Sequence, residues 1–329
     1  MKKFMNSTET MLRESLSGFA QCHQDIVALD RDFRFVSRRQ AKRGKVALIS
    51  GGGSGHEPLH TGFVGHGMLD AACPGQIFTS PTPDQMVAAA EAVETGAGIL
   101  FIVKNYAGDV MNFALAAEMC RARADTLVID DDVAVERSGQ GAGRRGVAGT
   151  LVVEKLVGAA AEAGAEIGAL KRLGASVNGA TRSMGVALTS CTVPAVGKPT
   201  FDIAGDEMEV GVGIHGEPGR RRVAMMRADE IAEELVHTIV QDLDPPSGCE
   251  VLLMVNGLGA TPSLELHVMY DAASRQLAKR GLKARRSIVG NFVTSLDMAG
   301  CSITVTVLND ELTALWDAPV HTPALRWRM

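Results

Sequence analysis

The sequence predicts an α/β fold: two α/β domains with largely parallel or mixed sheets flanked by helices. Two observations predict it. Short apolar runs of strand character alternate with stretches of helical periodicity, the pattern of strand–helix–strand units. A chain of 329 residues is also too long for one small core, which makes two domains the expected division. A boundary near Arg182 separates an N-terminal α/β domain (1–182) from a C-terminal one (183–329).

The elements follow in order. Residues 1–22 hold two lysines but no continuous apolar run, so they read as an amphipathic helix rather than a leader. Met11, Leu12, Leu16 and Phe19 form its stripe, and Asn6, Ser7 or Thr8 its cap. Residues 26–36 mix charges and aliphatics and read as a strand or extended arm. K-V-A-L-I (45–49) is a strand, and it feeds S-G-G-G-S-G-H-E-P (50–58). Residues 73–83 form a second loop, rich in proline and small polar groups. Pro83 opens a helix through 94, with Met86, Val87, Ala90 and Val93 on one face. The unbroken apolar run 98–103 is a buried strand that delivers the loop 104–109, and 110–123 is the next helix. Strand 126–129 ends in Asp130-Asp131-Asp132, and a Gly/Arg-rich loop (138–146) leads to an alanine-rich helix over 147–163. In the second half, strands are expected at 184–189, 208–214, 251–255, 287–289 and 303–308. Helices are expected at 228–241, 262–279 and 310–315.

Composition narrows the function. An apolar content of 46% against 22% charged residues is that of a soluble globular protein, and a net charge of −5 argues against a nucleic-acid binder. No apolar run approaches the ~20 residues that cross a bilayer, so no membrane role is expected. Six scattered cysteines without a C-x-x-C pair read as reduced thiols in a cytoplasmic protein.

The glycine stretch 51–55 is the strongest local feature. It reads either as a cradle of exposed backbone N–H groups or simply as a tight strand-to-helix turn. His56-Glu57-Pro58-Leu59-His60 fits the H-E-x-x-H zinc pattern only formally. That motif needs both histidines on one helix face, and the glycines before His56 and the proline at 58 argue against such a helix. No metal site is therefore expected. The nucleotide fingerprints fail as well: no glycine follows in G-x-G-x-x-G register, and no Gly-Lys-Ser/Thr is present. The His56, Lys104–Asp109 and Asp130 loops all leave strand ends, where ligands of parallel sheets sit. Each has a plainer reading: a solvated lysine, an N-capping aspartate, acids that cap a helix or face water. Arg220–Arg222 reads as a solvated basic cluster, with phosphate or partner contact as the alternative. The second strong feature is M-E-V-G-V-G-I-H-G-E-P-G (208–219), where glycines at 213 and 216 strip bulk from around His215. A lone histidine is more often structural than catalytic, but here the ring has room to lie against a ligand, and a neutral imidazole is a nucleophile toward carbonyl carbon.

These runs, with A-C-P-G-Q-I-F-T-S-P-T-P, V-K-N-Y-A-G-D-V-M-N-F, C-T-V-P-A-V-G-K-P, N-G-L-G-A-T-P, T-S-L-D-M-A-G and L-W-D-A-P-V-H-T-P-A-L, closely resemble the substrate-binding subunits of dihydroxyacetone kinases. The resemblance covers nearly everything from residue 45 onward. It implies that His215 bonds to the ketone's carbonyl carbon as a hemiaminal. It implies further that His56 and Asp109 orient the terminal hydroxyl and accept its proton, and that Lys104 hydrogen-bonds the substrate. Gly53, with Ser54 and Gly55 beside it, supplies backbone contact. Single-chain members carry a further nucleotide-binding domain after H-T-P-A-L, whereas this chain ends at Met329. The resemblance thus implies no cofactor on this chain, and a separate nucleotide-binding kinase subunit that carries ADP and Mg²⁺. That partner is rephosphorylated by a multiphosphoryl phosphotransferase protein fed by phosphoenolpyruvate, and the substrate-binding chain is a homodimer. One departure is a segment 219–250 shorter than in enterobacterial-type members, which bears on partner contact. Two alternatives stand beside this reading: a subunit for another small ketose with an ATP-dependent partner, and a non-catalytic ketose-sensing co-regulator.

Overall fold

A computed structural model describes residues 2–135, 143–217 and 219–329. The chain forms two units, each assembled from separate segments. Met1–Ile129, Thr150–Ser176 and Ala314–Met329 make the first, and Asp130–Gly149 with Val177–Thr313 the second. These are not consecutive halves divided near Arg182. A parallel sheet must be covered on both faces, and part of the first sheet's cover comes from helices beyond residue 149.

The first unit begins with α1 (Met11–Cys22) and holds a six-stranded sheet. Its strands are β1 (Val27–Leu29), β2 (Val36–Arg38), β3 (Ala47–Ser54), β4 (Ala71–Ile77), β5 (Ile99–Lys104) and β6 (Ala124–Ile129), in the order β1-β2-β4-β3-β5-β6. β4, β3, β5 and β6 are mutually parallel, and β1 and β2 form an antiparallel edge. The helices are α2 (Pro83–Val93), α3 (Ala107–Met119), α4 (Gly149–Glu162) and α5 (Ile167–Gly179). Every residue of β3 and β5 is buried. Ile49, Phe101 and Val103 share a core with Met86 and Val93 of α2 and Phe113 of α3. The Phe101 and Phe113 rings meet edge to face with centroids 5.4 Å apart. α5, which the sequence pattern does not reveal, lies so close to β6 that a Cβ on Gly174 would stand 2.1 Å from Leu127 Cδ2.

Two loop assignments change. Residues 73–77 belong to strand β4 despite Pro74 and Gly75. Gly75 is needed there for close approach, since a Cβ would fall 2.0 Å from the Thr79 carbonyl oxygen. Gly51–Gly53 likewise lie inside β3 and not in a turn. The connectivity places the site: β3 continues to β4 on one side, while β5 continues through α3 to β6 on the other. β3 and β5 thus flank a topological switch point, and the crevice beyond their carboxyl ends is where α/β sheets bind ligands.

The second unit holds β7 (Thr181–Ala187), β8 (Glu207–Val210), β9 (Arg221–Ala224), α6 (Ala228–Leu243), β10 (Glu250–Gly257), α7 (Ser263–Lys279), β11 (Lys283–Gly290) and β12 (Gly300–Leu308), followed by α8 (Asp310–Asp317). Its sheet order is β11-β10-β12-β7-β8-β9, and β10–β11 is the one parallel pair within it. The sheet is therefore mixed, within the parallel-or-mixed class expected of this domain. No helix separates β7 from β8 or β8 from β9, and antiparallel neighbours need no helical crossover. Leu253, Ile303 and Val305 pack against Leu235 and Ile239 of α6 and Leu266 and Leu277 of α7. Across β7 and β12, directly opposed residues pair through hydroxyls, Ser183 with Thr304 at 2.7 Å and Thr181 with Thr306 at 2.9 Å.

One part-buried ion cluster, a half-buried carboxylate between two buried guanidinium groups, ties this unit together. Asp242 of α6 accepts from Arg144 Nη1 at 2.8 Å and from Arg182 Nε at 2.5 Å. The Arg144 hydrogen bonds outweigh burial and, with those of Arg182, hold the Asp242 carboxyl well below the usual carboxylate range. Its contribution is present above the unfolded value near 3.9 and is lost as pH falls below that. Asp242→Ala leaves two guanidinium groups without their carboxylate and is expected to cost about 3 kcal/mol. Urea unfolding monitored by circular dichroism checks this; an unchanged midpoint would show the cluster to be neutral.

Candidate active site

The glycines of β3 are explained by what crowds them. A Cβ at position 52 would sit 2.2 Å from Lys104 Nζ and 3.6 Å from Asp109 Oδ2. One at 53 would meet Thr79 N at 2.6 Å, and one at 51 the Cys73 carbonyl oxygen at 2.5 Å. None of the three has positive φ; the left-handed residue is Gly55 (φ 103°). Its N–H donates to both oxygens of Glu57, at 3.1 and 3.0 Å. Ser54 Oγ donates to the Gly75 carbonyl at 2.7 Å, so Ser54 and Gly55 shape the end of the strand.

Lys104 closes β5 with no exposed surface, so the solvated-lysine reading does not hold. Its Nζ donates to the Gly51 carbonyl at 3.2 Å and to His60 Nε2 at 3.0 Å, and faces Asp109 Oδ2 at 3.6 Å. Asp109 lies in the first turn of α3, whose N-cap is Tyr106, so the aspartate is not the cap. It is 3% exposed, and its Oδ1 has no hydrogen-bond partner among the described residues.

The stretch after Gly55 is a turn ending in a short 3₁₀ helix (Thr61–Phe63), so His56 and His60 do not share a helix face. The His56 ring is buried and stacks on Phe78, centroids 5.1 Å apart and planes 17° off parallel. His60 points its Nδ1 at Glu154 Oε1, 2.6 Å away on α4. Burial, with the Lys104 and His56 charges, pushes the His60 pKa well below its ordinary value, so the ring is neutral near pH 7. A cavity of about 190 Å³ adjoins this cluster, bounded by Gly52, Gly53, Glu57 and His60 and by Leu16 and Phe19 of α1.

His215 stands in the second unit. The expected strand 208–214 stops at Val210, because Gly211 turns to φ 82° and its N–H bonds the Gly185 carbonyl at 2.7 Å. The chain then folds tightly around Glu217. That carboxylate accepts from the His215 backbone N–H at 2.9 Å and lies 3.0 Å from His215 Nδ1. Gly213 leaves it room, since a Cβ there would be 2.0 Å from Glu217 Oε2. Burial would raise the Glu217 carboxyl, but the hydrogen bond to His215, with help from Arg145, holds it well below the usual carboxylate range. Glu217 is therefore ionised at neutral pH and can only accept. Nδ1 of His215 is then the protonated nitrogen, and Nε2 carries the lone pair.

The structure thus brings Lys104, Asp109 and the glycine strand together, with His56 at the same strand end. It gives His215 its own carboxylate in the other unit. Four participants were not singled out from sequence. Gly52 and Glu217 lie inside quoted motifs. His60 was weighed only as a zinc ligand. Glu154 had a visible signal, a charge amid the apolar helix L-V-V-E-K-L-V. The acidic trio 130–132 is occupied structurally. Asp130 pairs with Asn178, Asp131 accepts the N–H groups of Val147 and Gly149 at the start of α4, and Asp132 pairs with Arg145. Arg220 bonds the carbonyls of Val133 and Ala134, while Arg221 and Arg222 on edge strand β9 pair with Glu234 and Glu209. The solvated-cluster reading of these arginines therefore gives way to paired ones. Residues 138–142 of the Gly/Arg-rich loop, and Pro218, lie outside the described residues. Among the described residues, no helix is long and apolar enough to cross a membrane.

Comparison with known proteins adds the following. The model of the Dak1 domain matches residues 17–324. The chain is 47% identical to the PEP-dependent dihydroxyacetone kinase, dihydroxyacetone-binding subunit DhaK, of Escherichia coli, over 99% of both chains. It is 41% identical to the D-erythrulose kinase of Mycolicibacterium smegmatis, covering 99% of this chain and 57% of that protein. Among solved structures, the dihydroxyacetone kinase operon co-activator Dha-DhaQ superposes with a TM-score of 0.89 at 33% identity, over 94% of this chain and 97% of that one. The dihydroxyacetone kinase of C. freundii gives 0.87 at 34%, over 98% and 60%.

Proposed function

The chain belongs to the Dak1 family, and from that premise we propose that it is the dihydroxyacetone-binding subunit of a phosphoenolpyruvate-dependent kinase. In this reading it holds the ketone covalently while a partner subunit phosphorylates its terminal hydroxyl. The observation that carries the reading is the buried Lys104–Asp109 pair at the switch point. Two of the ammonium hydrogens are directed at Gly51 and His60, and the third faces Asp109 across 3.6 Å, beyond hydrogen-bond distance. A substrate hydroxyl in that place accepts from Lys104 and donates to Asp109 Oδ1, an oxygen with no hydrogen-bond partner among the described residues. Both buried groups are then satisfied.

His215 supplies the covalent step. Nε2 attacks the carbonyl carbon, a C–N bond forms, and the carbonyl π pair moves to oxygen. The Nδ1 proton passes by way of Glu217 to water and the alkoxide takes one from water, so no proton is gained or lost overall and the adduct carries the whole ketone. Glycerol has no carbonyl and is excluded by chemistry rather than by fit. In the transfer step the terminal hydroxyl attacks phosphorus, and Asp109, with His56 beside it, takes the proton. ADP and Mg²⁺ belong to the partner nucleotide-binding subunit, which a multiphosphoryl phosphotransferase protein recharges. The product is dihydroxyacetone phosphate, and this chain works as a cytoplasmic homodimer. A second reading, a subunit for another small ketose, draws on the likeness to D-erythrulose kinase.

The test is phosphorylation of dihydroxyacetone, erythrulose and glycerol by the purified chain, with and without nucleotide-binding subunits charged from phosphoenolpyruvate. Turnover of dihydroxyacetone that requires the charged partner is expected. Turnover with ATP and this chain alone would refute the split-subunit reading, and preference for erythrulose would favour the second.

A further inference from the structure

His60 and Glu154 form a buried relay behind Lys104 that the covalent and transfer steps above do not use. The distances are 3.0 Å from Lys104 Nζ to His60 Nε2 and 2.6 Å from His60 Nδ1 to Glu154 Oε1. His60 is 5% exposed and Glu154 not at all. Their direction follows from chemistry. An ammonium only donates, so Nε2 must present its lone pair to Lys104. A neutral imidazole has one N–H, which must then sit on Nδ1, and the acceptor facing it is Glu154 Oε1. Burial pushes the Glu154 carboxyl up to about 8 against the Lys104 charge. The acceptor role survives this, because a protonated carboxyl still has an oxygen that accepts.

We infer that His60 and Glu154 are positioning residues for substrate recognition: Glu154 fixes the His60 tautomer, and His60 holds the Lys104 ammonium so that its remaining hydrogen faces Asp109. The inference rests on the reading that Lys104 binds the ketone's hydroxyl. In the opposite tautomer, the His60 ring would aim an N–H at the ammonium. Lys104 would then lose an acceptor, and its chain would be free to swing from Asp109 toward other carbonyls. The gap occupied by the substrate hydroxyl is therefore set from α4, a helix that supplies no group to the substrate.

Calorimetric titration of the full chain with dihydroxyacetone separates this from a merely structural role, because it reads affinity and stoichiometry independently. His60→Leu is expected to weaken binding about 10- to 100-fold, the effect of losing a hydrogen bond to a charged group, with the number of sites unchanged. His60→Gln places an amide oxygen near the former Nε2 and is expected to restore most of the affinity. Glu154→Leu should weaken binding, and Glu154→Gln, which keeps an acceptor, should weaken it less. Lys104→Met is the control on the underlying reading: wild-type affinity there refutes the site assignment itself. With Lys104→Met impaired, wild-type affinity in His60→Leu or in Glu154→Leu overturns the relay. So does a fall in stoichiometry without a change in affinity, or equal loss in the leucine and glutamine variants. If His60→Leu does not fold, the two Glu154 variants decide between the relay and a structural role.

Discussion

Asp109→Asn is expected to keep the ketone adduct at His215 and to lower phosphorylation by about 10²- to 10⁴-fold, the usual worth of a positioned proton acceptor. The substitution preserves shape and removes the charge beside Lys104, 3.6 Å away. Asparagine still hydrogen-bonds a hydroxyl but cannot take its proton. Adduct formation is read by intact-protein mass spectrometry and turnover by coupled assay with the charged partner. Unchanged turnover would show that another group accepts the proton, and His56 would be the next to examine. Loss of the adduct together with turnover would show that Asp109 acts in binding and not in transfer.

The second large effect is expected from His215→Ala. No stable adduct should form, and the proposed preference for dihydroxyacetone over glycerol should collapse, because the hydroxyl recognition proposed for Lys104 and Asp109 would not distinguish a ketone from an alcohol. Persistence of an adduct of the full ketone mass would remove His215 from its role. Glu217→Gln is the finer probe. It replaces the acceptor at 3.0 Å from Nδ1 by an amide that can present N–H as well, and so no longer fixes the lone pair on Nε2. The adduct is expected to form more slowly in that variant while the fold is retained.

The largest change between sequence and structure concerns the glycines. Read alone, G-G-G-S-G suggested positive φ and a sharp turn. In the fold the first three are ordinary extended residues of a buried strand, and what they provide is the absence of Cβ atoms. Gly52 lets the lysine side chain of the next strand lie against the backbone, and Gly51 and Gly53 let β4 and the segment after it approach. Nothing in a linear sequence distinguishes a glycine kept for its dihedral freedom from one kept for proximity, since the crowding atoms are 22 to 52 residues away. The same holds for His60. Its spacing from His56 invoked zinc, but its partners are a lysine 44 residues on and a glutamate 94 residues on, and these make it a neutral hydrogen-bond relay.

What the sequence determined by itself is local or chemical. Apolar runs located most of the strands, and helical periodicity found α2, α3, α6 and α7 to within a few residues. Motif length tied the chain to its family, and the resemblance to that family nominated His56, Lys104, Asp109 and His215. What only the tertiary structure decided is long-range. It settled the interleaved composition of the two units, the antiparallel second sheet, the burial of Lys104, and the tautomers of His60 and His215. Each of these depends on what a group meets across the fold. Burial removes the water that would otherwise leave a lysine solvated or a histidine free to choose its proton, and the buried partners Glu154 and Glu217 then make that choice.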